Sequence, residues 1–181
     1  IEYLFKHDKA IVNQKEVGID VSSFIEGISS AVNQDPDVIM VSSIRDTETF
    51  SQTLSAAEDG YLVITTLQTV GSVSTLEYII NMYPMDKKNY IRARLSYVLQ
   101  AIISQQLIPG AEEGKSVLAM EIMLANQAMK NLILENKIHQ IPDVIKASKA
   151  LGMITMEDSI KELYTKGLIT KQSALNLFQG I

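Results

Sequence analysis

The sequence predicts an α/β fold: a parallel-sheet part over about residues 1–125, followed by a small helical part over about 126–181. Three observations predict it. Two apolar runs, 38–41 (VIMV) and 61–67 (YLVITTL), flank a helical pattern near 47–58, the βαβ order of a parallel sheet. Neither run alternates with polar residues, so both read as fully buried strands. After Asn126 the apolar period is helical throughout and is broken at Gly152 and Gly167, as a set of short helices requires.

The elements follow in order. Residues 10–17 (AIVNQKEV) read as a short strand or edge segment. From Asp20 to Gln34 the residues Phe24, Ile25, Ile28 and Val32 recur at helical spacing. Asp20 or Ser22 is placed to satisfy free N–H groups at the start of that helix. Pro36 ends it and turns Asp35 away from helical geometry. The 38–41 strand stops at Ser42-Ser43. After the second strand a helix starts near Ser72 or Ser74, turns Val73, Leu76, Ile79 and Ile80 inward, and ends at Pro84. A long amphipathic helix is expected from about Asp86 to Gln106, then a β-hairpin pairing 106–109 with 116–123. Asn126 caps a helix containing Met129, Leu132 and Ile133, and three shorter helices follow near 142–150, 156–165 and 171–179. Thr155 and Asp158 make a capping box with Asp in place of Glu.

Composition narrows the function classes. The 181 residues suit one domain with at most a small appendage. Apolar residues make up 46% and charged residues 20%, enough for a real core. The net charge is −5 and the only arginines are Arg45, Arg92 and Arg94; no basic face is available to neutralise phosphates, which argues against nucleic acid as a partner. The absence of cysteine excludes disulfides and thiolate metal sites. No apolar run approaches the ~20 residues that span a bilayer, and none of the residues given reads as a signal peptide. The chain opens at Ile1 without a methionine, the pattern of a trimmed, partial or processed sequence, and a cytoplasmic protein or fragment is expected.

Several blocks resemble one family. Residues 35–49 (DPDVIMVSSIRDTET) resemble a Walker B region that reads DPD, four apolar residues, Gly-Glu, an apolar residue, then Arg-Asp-x-Glu-Thr. Residues 56–69 (AAEDGYLVITTLQT) resemble the block called the His box. Ile103-Ser104-Gln105, Glu121-Ile122-Met123 and 128–136 (AMKNLILEN) match further signatures, as do Val12-Asn13-Gln14, Glu16-Val17 and, at the end of an Asp box, Ile1-Glu2. Together, in order and at similar spacing across nearly the whole chain, they identify a resemblance to the PilT-like twitching-motility ATPases of the type II/IV secretion family. The resemblance implies the C-terminal half of a motor domain. Its fold is RecA-like, a P-loop NTPase core lacking here the strand that leads into the phosphate loop, followed by a helical bundle. It also implies ATP and Mg²⁺ as cofactors, a homo- or hetero-hexameric ring with pilus motor subunits, and an inner-membrane platform protein as partner. The assembled ring would sit in the cytoplasm against the inner membrane.

Phosphoryl transfer relies on positioning and charge stabilisation, and the resemblance locates the groups concerned. The signature phosphate loop lies upstream of Ile1 in the family. The stretch 110–116 (GAEEGKS) has its Gly-Lys-Ser ending but only three residues between the glycines; it reads as the hairpin turn. The family's Walker B glutamate, which handles the attacking water, corresponds to Ser43, and the glycine before it to Ser42. A serine hydroxyl is a poor base without an activating partner. The His-box histidine corresponds to Gln68, which donates a hydrogen bond but carries no charge; the earlier Gly-His pair is Gly60-Tyr61. Two arginine positions hold Lys15 and Ile19, and lysine lacks the planar fork that suits phosphate.

Glu2, the last acidic residue of the Asp box, is a candidate contact to Mg²⁺-bound water. The Arg45-Asp46-x-Glu48-Thr49 run is retained, either as a helix start with acids at the positive end of the dipole or as a subunit-coupling element. Whether the chain is an enzyme stays open on these departures. It is either a motor part with nucleotide-linked ring assembly and weak or no hydrolysis, or a non-catalytic paralogue that modulates an active motor. No metal site is expected from His7 or His139, since zinc wants three or four ligands. The methionines read as core filler. Without the strand of the phosphate loop, 38–41 and 61–67 would present a long apolar edge, an aggregation template.

Overall fold

The structure, a computed structural model, describes residues 1–112 and 114–178. They fall into two units, one of residues 1–67 and one that begins at Gln68.

In the first unit, helix α1 (Phe24–Val32) starts at Ser23, whose hydroxyl accepts from the Glu26 N–H at 3.2 Å. Strand β1 (Val38–Val41), helix α2 (Thr47–Glu58) and strand β2 (Leu62–Thr65) follow. β1 and β2 pair in parallel, Val38 beside Leu62 and Val41 beside Thr65, as the βαβ order predicts. Ile39 and Val41 bury one face with Ile28, Phe50 and Leu54.

The strands are not buried on both faces as expected. Val38, Met40, Leu62 and Ile64 share the opposite face and are 46–64% exposed. Only one face of this two-stranded sheet carries helices of the unit, so an unbroken apolar run is half solvated. The bare apolar surface is therefore a face as well as an edge. The strand expected over 10–17 does not form: only Val17 makes an isolated bridge, to Val21. The Gln14 side chain takes the place of a neighbouring strand, its Oε1 accepting from the Phe5 N–H and its Nε2 donating to the Tyr3 carbonyl, both at 2.8 Å.

In the second unit, α3 (Ser72–Asn81) turns Leu76, Ile79 and Ile80 inward as predicted. A 3-10 turn at Met85–Lys87 leads into α4 (Lys88–Val98). The long helix expected to Gln106 ends there. Residues from Ala101 form β3 (Ala101–Pro109), antiparallel to β4 (Ser116–Leu124) with Ile103 beside Ile122 and Ser104 beside Glu121. The hairpin is thus longer than its sequence punctuation implied. α5 (Gln127–Leu134) is capped by Asn126 as expected, its Oδ1 accepting from the Met129 N–H at 3.0 Å.

Helices α6 (Ile141–Ala147), α7 (Met156–Thr165) and α8 (Lys171–Phe178) complete the described chain. The last residue of the expected final helix, 179, lies outside the described residues. Ile108 and Ala119 of the hairpin pack with Met156, Ile160, Ile169 and Ala174 into one apolar cluster. Gly152 turns the chain with φ 88° where a side chain would be strained.

Candidate functional site

In open parallel sheets, ligands gather outside the carboxyl ends of the strands. At that end of the first unit, Thr65 Oγ1 donates to the Val41 carbonyl at 2.8 Å, and Thr66 Oγ1 accepts from the Ser43 N–H at 3.0 Å. Ser43 is half-buried and its backbone is left-handed, φ 47°, while Ser42 is exposed. β1 therefore ends in a bend held by two threonine hydroxyls, Thr65 at the end of β2 and Thr66 just after it. Neither threonine was singled out in the sequence; the only signal was a polar pair closing an apolar run.

Ile44 is buried and anchors the segment that follows. Asp46 caps α2: one oxygen accepts from the Thr49 N–H at 2.7 Å, the other from the Thr49 hydroxyl at 2.8 Å. The Thr49 backbone N–H, then its hydroxyl, hold the Asp46 carboxyl below its ordinary range. Half of the retained Arg45-Asp46-x-Glu48-Thr49 run is thus accounted for as a helix cap. Arg45 and Glu48 are exposed.

Lys15 is exposed and donates to Ser30 Oγ of α1 at 2.6 Å; Glu2 and Ile19 are exposed. His7 accepts from the Val12 N–H at 3.0 Å, a local turn contact, and His139 is a surface residue. The first unit therefore gathers Arg45, Asp46 and Glu48 at one helix start, ties Ser43 to Thr66, and leaves Lys15 against α1.

Gln68 opens the second unit and is exposed. The residues after it are fixed. Thr75 Oγ1 donates to the Gly71 carbonyl at 2.7 Å, so Thr69 is the donor in its 2.8 Å contact with Thr75 Oγ1. The Gly71 N–H donates to Ser104 Oγ at 2.8 Å. Ser104 lies in the Ile103-Ser104-Gln105 signature, whose role the sequence alone did not reveal.

The stretch 110–116 is the β3–β4 turn: the Gly110 N–H donates to the Lys115 carbonyl at 2.8 Å, and Lys115 pairs with Glu112. A strand follows it where a phosphate loop needs a helix. Glu113 lies outside the described residues.

Among the described residues no cluster of three or more His, Asp or Glu could hold a metal. The strand ends offer the hydroxyls of Ser42, Ser43 and Thr66, and Thr49 engages both oxygens of Asp46. That donor set fits the outer shell of a hydrated Mg²⁺ and does not fit direct coordination of the ion.

Residues 1–141 match the family model described as Type II/IV secretion system protein. The chain belongs to that family. Over 174 residues, 96% of its length, it is 41% identical to a twitching motility protein of Neisseria gonorrhoeae and 40% identical to the type IV pilus retraction ATPase PilT of Pseudomonas aeruginosa. It covers 46% and 50% of those two proteins, so it spans about half the length of the relatives it matches. A crystal structure of the pilus retraction motor PilT with bound ADP superposes with a TM-score of 0.88 at 43% identity, over 97% of this chain and 49% of that one. The chain is thus a PilT-like member of the type II/IV secretion family, and its α/β fold is a partial RecA-like core. No helix among the described residues is long and apolar enough to cross a membrane.

Proposed function

We propose that this chain is the C-terminal half of a pilus-retraction-type motor subunit that takes part in nucleotide-linked ring assembly and hydrolyses ATP weakly or not at all. Within it, 1–125 would complete the RecA-like ATPase domain and 126–181 would form a helical subdomain. ATP with Mg²⁺ would bind chiefly through the rest of the motor domain. The partners would be pilus motor subunits in a hexameric ring and an inner-membrane platform protein, with the ring on the cytoplasmic side.

One observation carries the reading. The bend after β1 is built and held by Thr66, yet it presents Ser43 where the family resemblance puts a glutamate. A serine hydroxyl cannot take a proton from water near neutral pH without a partner base. Loss of one charge-stabilising group costs ~10²–10³ in rate, and Gln68 in place of a histidine compounds it. Lys15, Arg45 and Glu48, all exposed, are the candidates for contact with a neighbouring subunit or its nucleotide; Glu2 is a candidate for a water on Mg²⁺.

The same departures support a second reading, a non-catalytic paralogue that enters a ring of active subunits and modulates it. ATP hydrolysis by the longest natural form of the chain, alone and mixed with an active relative, separates the two. A Ser43→Glu, Gln68→His double variant run alongside should gain activity. Wild-type turnover at the rate of an active relative would sink both readings.

A further inference from the structure

α3 begins at Gly71-Ser72, and Gly71 has no side chain with which to cap it. The missing acceptors come from the hairpin. Ser104 and Glu121 are direct cross-strand partners in β3 and β4. Ser104 Oγ accepts from the Gly71 N–H at 2.8 Å, and Glu121 Oε1 accepts from both the N–H and the hydroxyl of Ser72 at 2.7 Å. Ser72 is fully buried, so these donors have no recourse to water.

The other carboxylate oxygen, Glu121 Oε2, accepts from the Met156 N–H at 3.4 Å. That amide belongs to the first turn of α7, whose own cap residue, Thr155, is engaged with the Asp158 N–H at 3.1 Å. One carboxylate therefore meets the free N–H groups of two helix starts, where negative charge is favoured. Beside it, Ile122 and Ile154 exchange backbone hydrogen bonds at 2.8 and 3.2 Å, which keeps β4 and the approach to α7 in register independently of the carboxylate.

We infer that Glu121, seconded by Ser104, is a positioning residue for the Gln68–Gly71 loop and ties that loop to the start of α7. The loop carries the side chain at the family's histidine position, three residues before Gly71. A shift of the start of α7 relative to the hairpin reaches Ser72, the residue that follows the loop, through one side chain with two oxygens. The link to nucleotide rests on the function proposed above; the link between loop and helix does not.

Amide hydrogen exchange on the 181-residue chain, without nucleotide, tests the coupling, with Ile122 as the internal reference. Glu121→Gln keeps one acceptor oxygen and turns the other into a donor. It should hold protection at Ser72, where two donors converge, and lose about tenfold at Met156, the size expected for a charged hydrogen bond. Glu121→Ala should lose about tenfold or more at both, with faster exchange at Thr69, while Ile122 is unchanged. Equal loss throughout the second unit, Ile122 included, overturns the inference, because Glu121 then only supports the fold. So does unchanged protection at Met156 in both variants. Repeating the measurement with Mg-ADP on the longest natural form separates the two claims. If exchange at Gln68 and Thr69 does not respond to Mg-ADP but the variant pattern is as expected, the nucleotide reading falls and the coupling stands.

Discussion

The backbone N–H of Ser43 donates to Thr66 Oγ1 at 3.0 Å, joining the loop after β1 to the loop after β2. Replacing Thr66 with valine keeps the shape and removes the acceptor. The loss should be about 1 kcal/mol, the usual net value of such a bond, with faster exchange of the Ser43 amide. Thr66→Ser should retain both. Urea midpoints of the two variants check it; equal midpoints would show that this hydrogen bond contributes nothing.

Asp46 holds the start of α2 through Thr49. Asp46→Ala should cost about 1 kcal/mol at neutral pH, and Asp46→Asn less, since Asn also caps. The folded carboxyl is held below its ordinary range. Its contribution is therefore complete above the ordinary carboxylate pKa, about 4, and fades as pH falls through the lowered folded value. The gap between wild type and Asp46→Ala should narrow when denaturation is repeated near pH 2. A gap that widens on acidification would reverse the assignment.

Neighbours on β1 should respond oppositely. Ile39 is 6% exposed and Met40 is 64% exposed. Ile39→Ala should cost about 2–5 kcal/mol through lost burial and the cavity left behind. Met40→Ala should stay within about 0.5 kcal/mol in this chain. Chemical denaturation of the two alanine variants gives the comparison, and similar costs would mean that both strand faces are covered in solution.

On the surface of the helical part, Lys149 meets Asp158 at 3.1 Å and Lys161 meets Glu157 at 2.5 Å. The lysine side chains are more than half exposed, so Lys149→Ala should change stability by less than about 1 kcal/mol. Any effect should shrink in 1 M salt, where the screening length is about 3 Å. Thermal melts at low and high salt measure it.

The sequence was most readable where two signals agreed. β1 and α2 fall on the expected residues because an apolar run, a Ser-Ser stop and the acids Asp46 and Glu48 at the helix start all mark the same boundaries. α5 was readable for the same reason, from Asn126. The long helix over 86–106 was an error of period. Ile91, Leu95 and Val98 continue into Ile102, Ile103 and Leu107 at spacings that suit either a helix or a strand, and no glycine or proline marks the break at Leu99. The strand expected over 10–17 failed because its rungs are made by the side chain of Gln14, a substitution that no periodicity reports. At the candidate site, family motifs located Ser43, Gln68 and Asp46. Asp46 is held locally by Thr49, but Thr66, which holds Ser43, and Ser104 and Glu121, which hold Gly71 and Ser72 after Gln68, lie at separations of 23 to 49 residues from their partners. Such contacts carry no local signature and became visible only in three dimensions.

Ser43 adopts a left-handed backbone although it is not glycine, a conformation that costs roughly 1–2 kcal/mol for most residues. The cost is borne by the surroundings, through the buried Ile44 on one side and Thr66 on the other. The direction in which position 43 points is consequently set by the main chain, which tolerates small and unbranched side chains there better than β-branched ones. In evolutionary terms, a position built this way can exchange one chemistry for another without rebuilding its neighbourhood. That freedom lasts for as long as the threonine and the isoleucine remain.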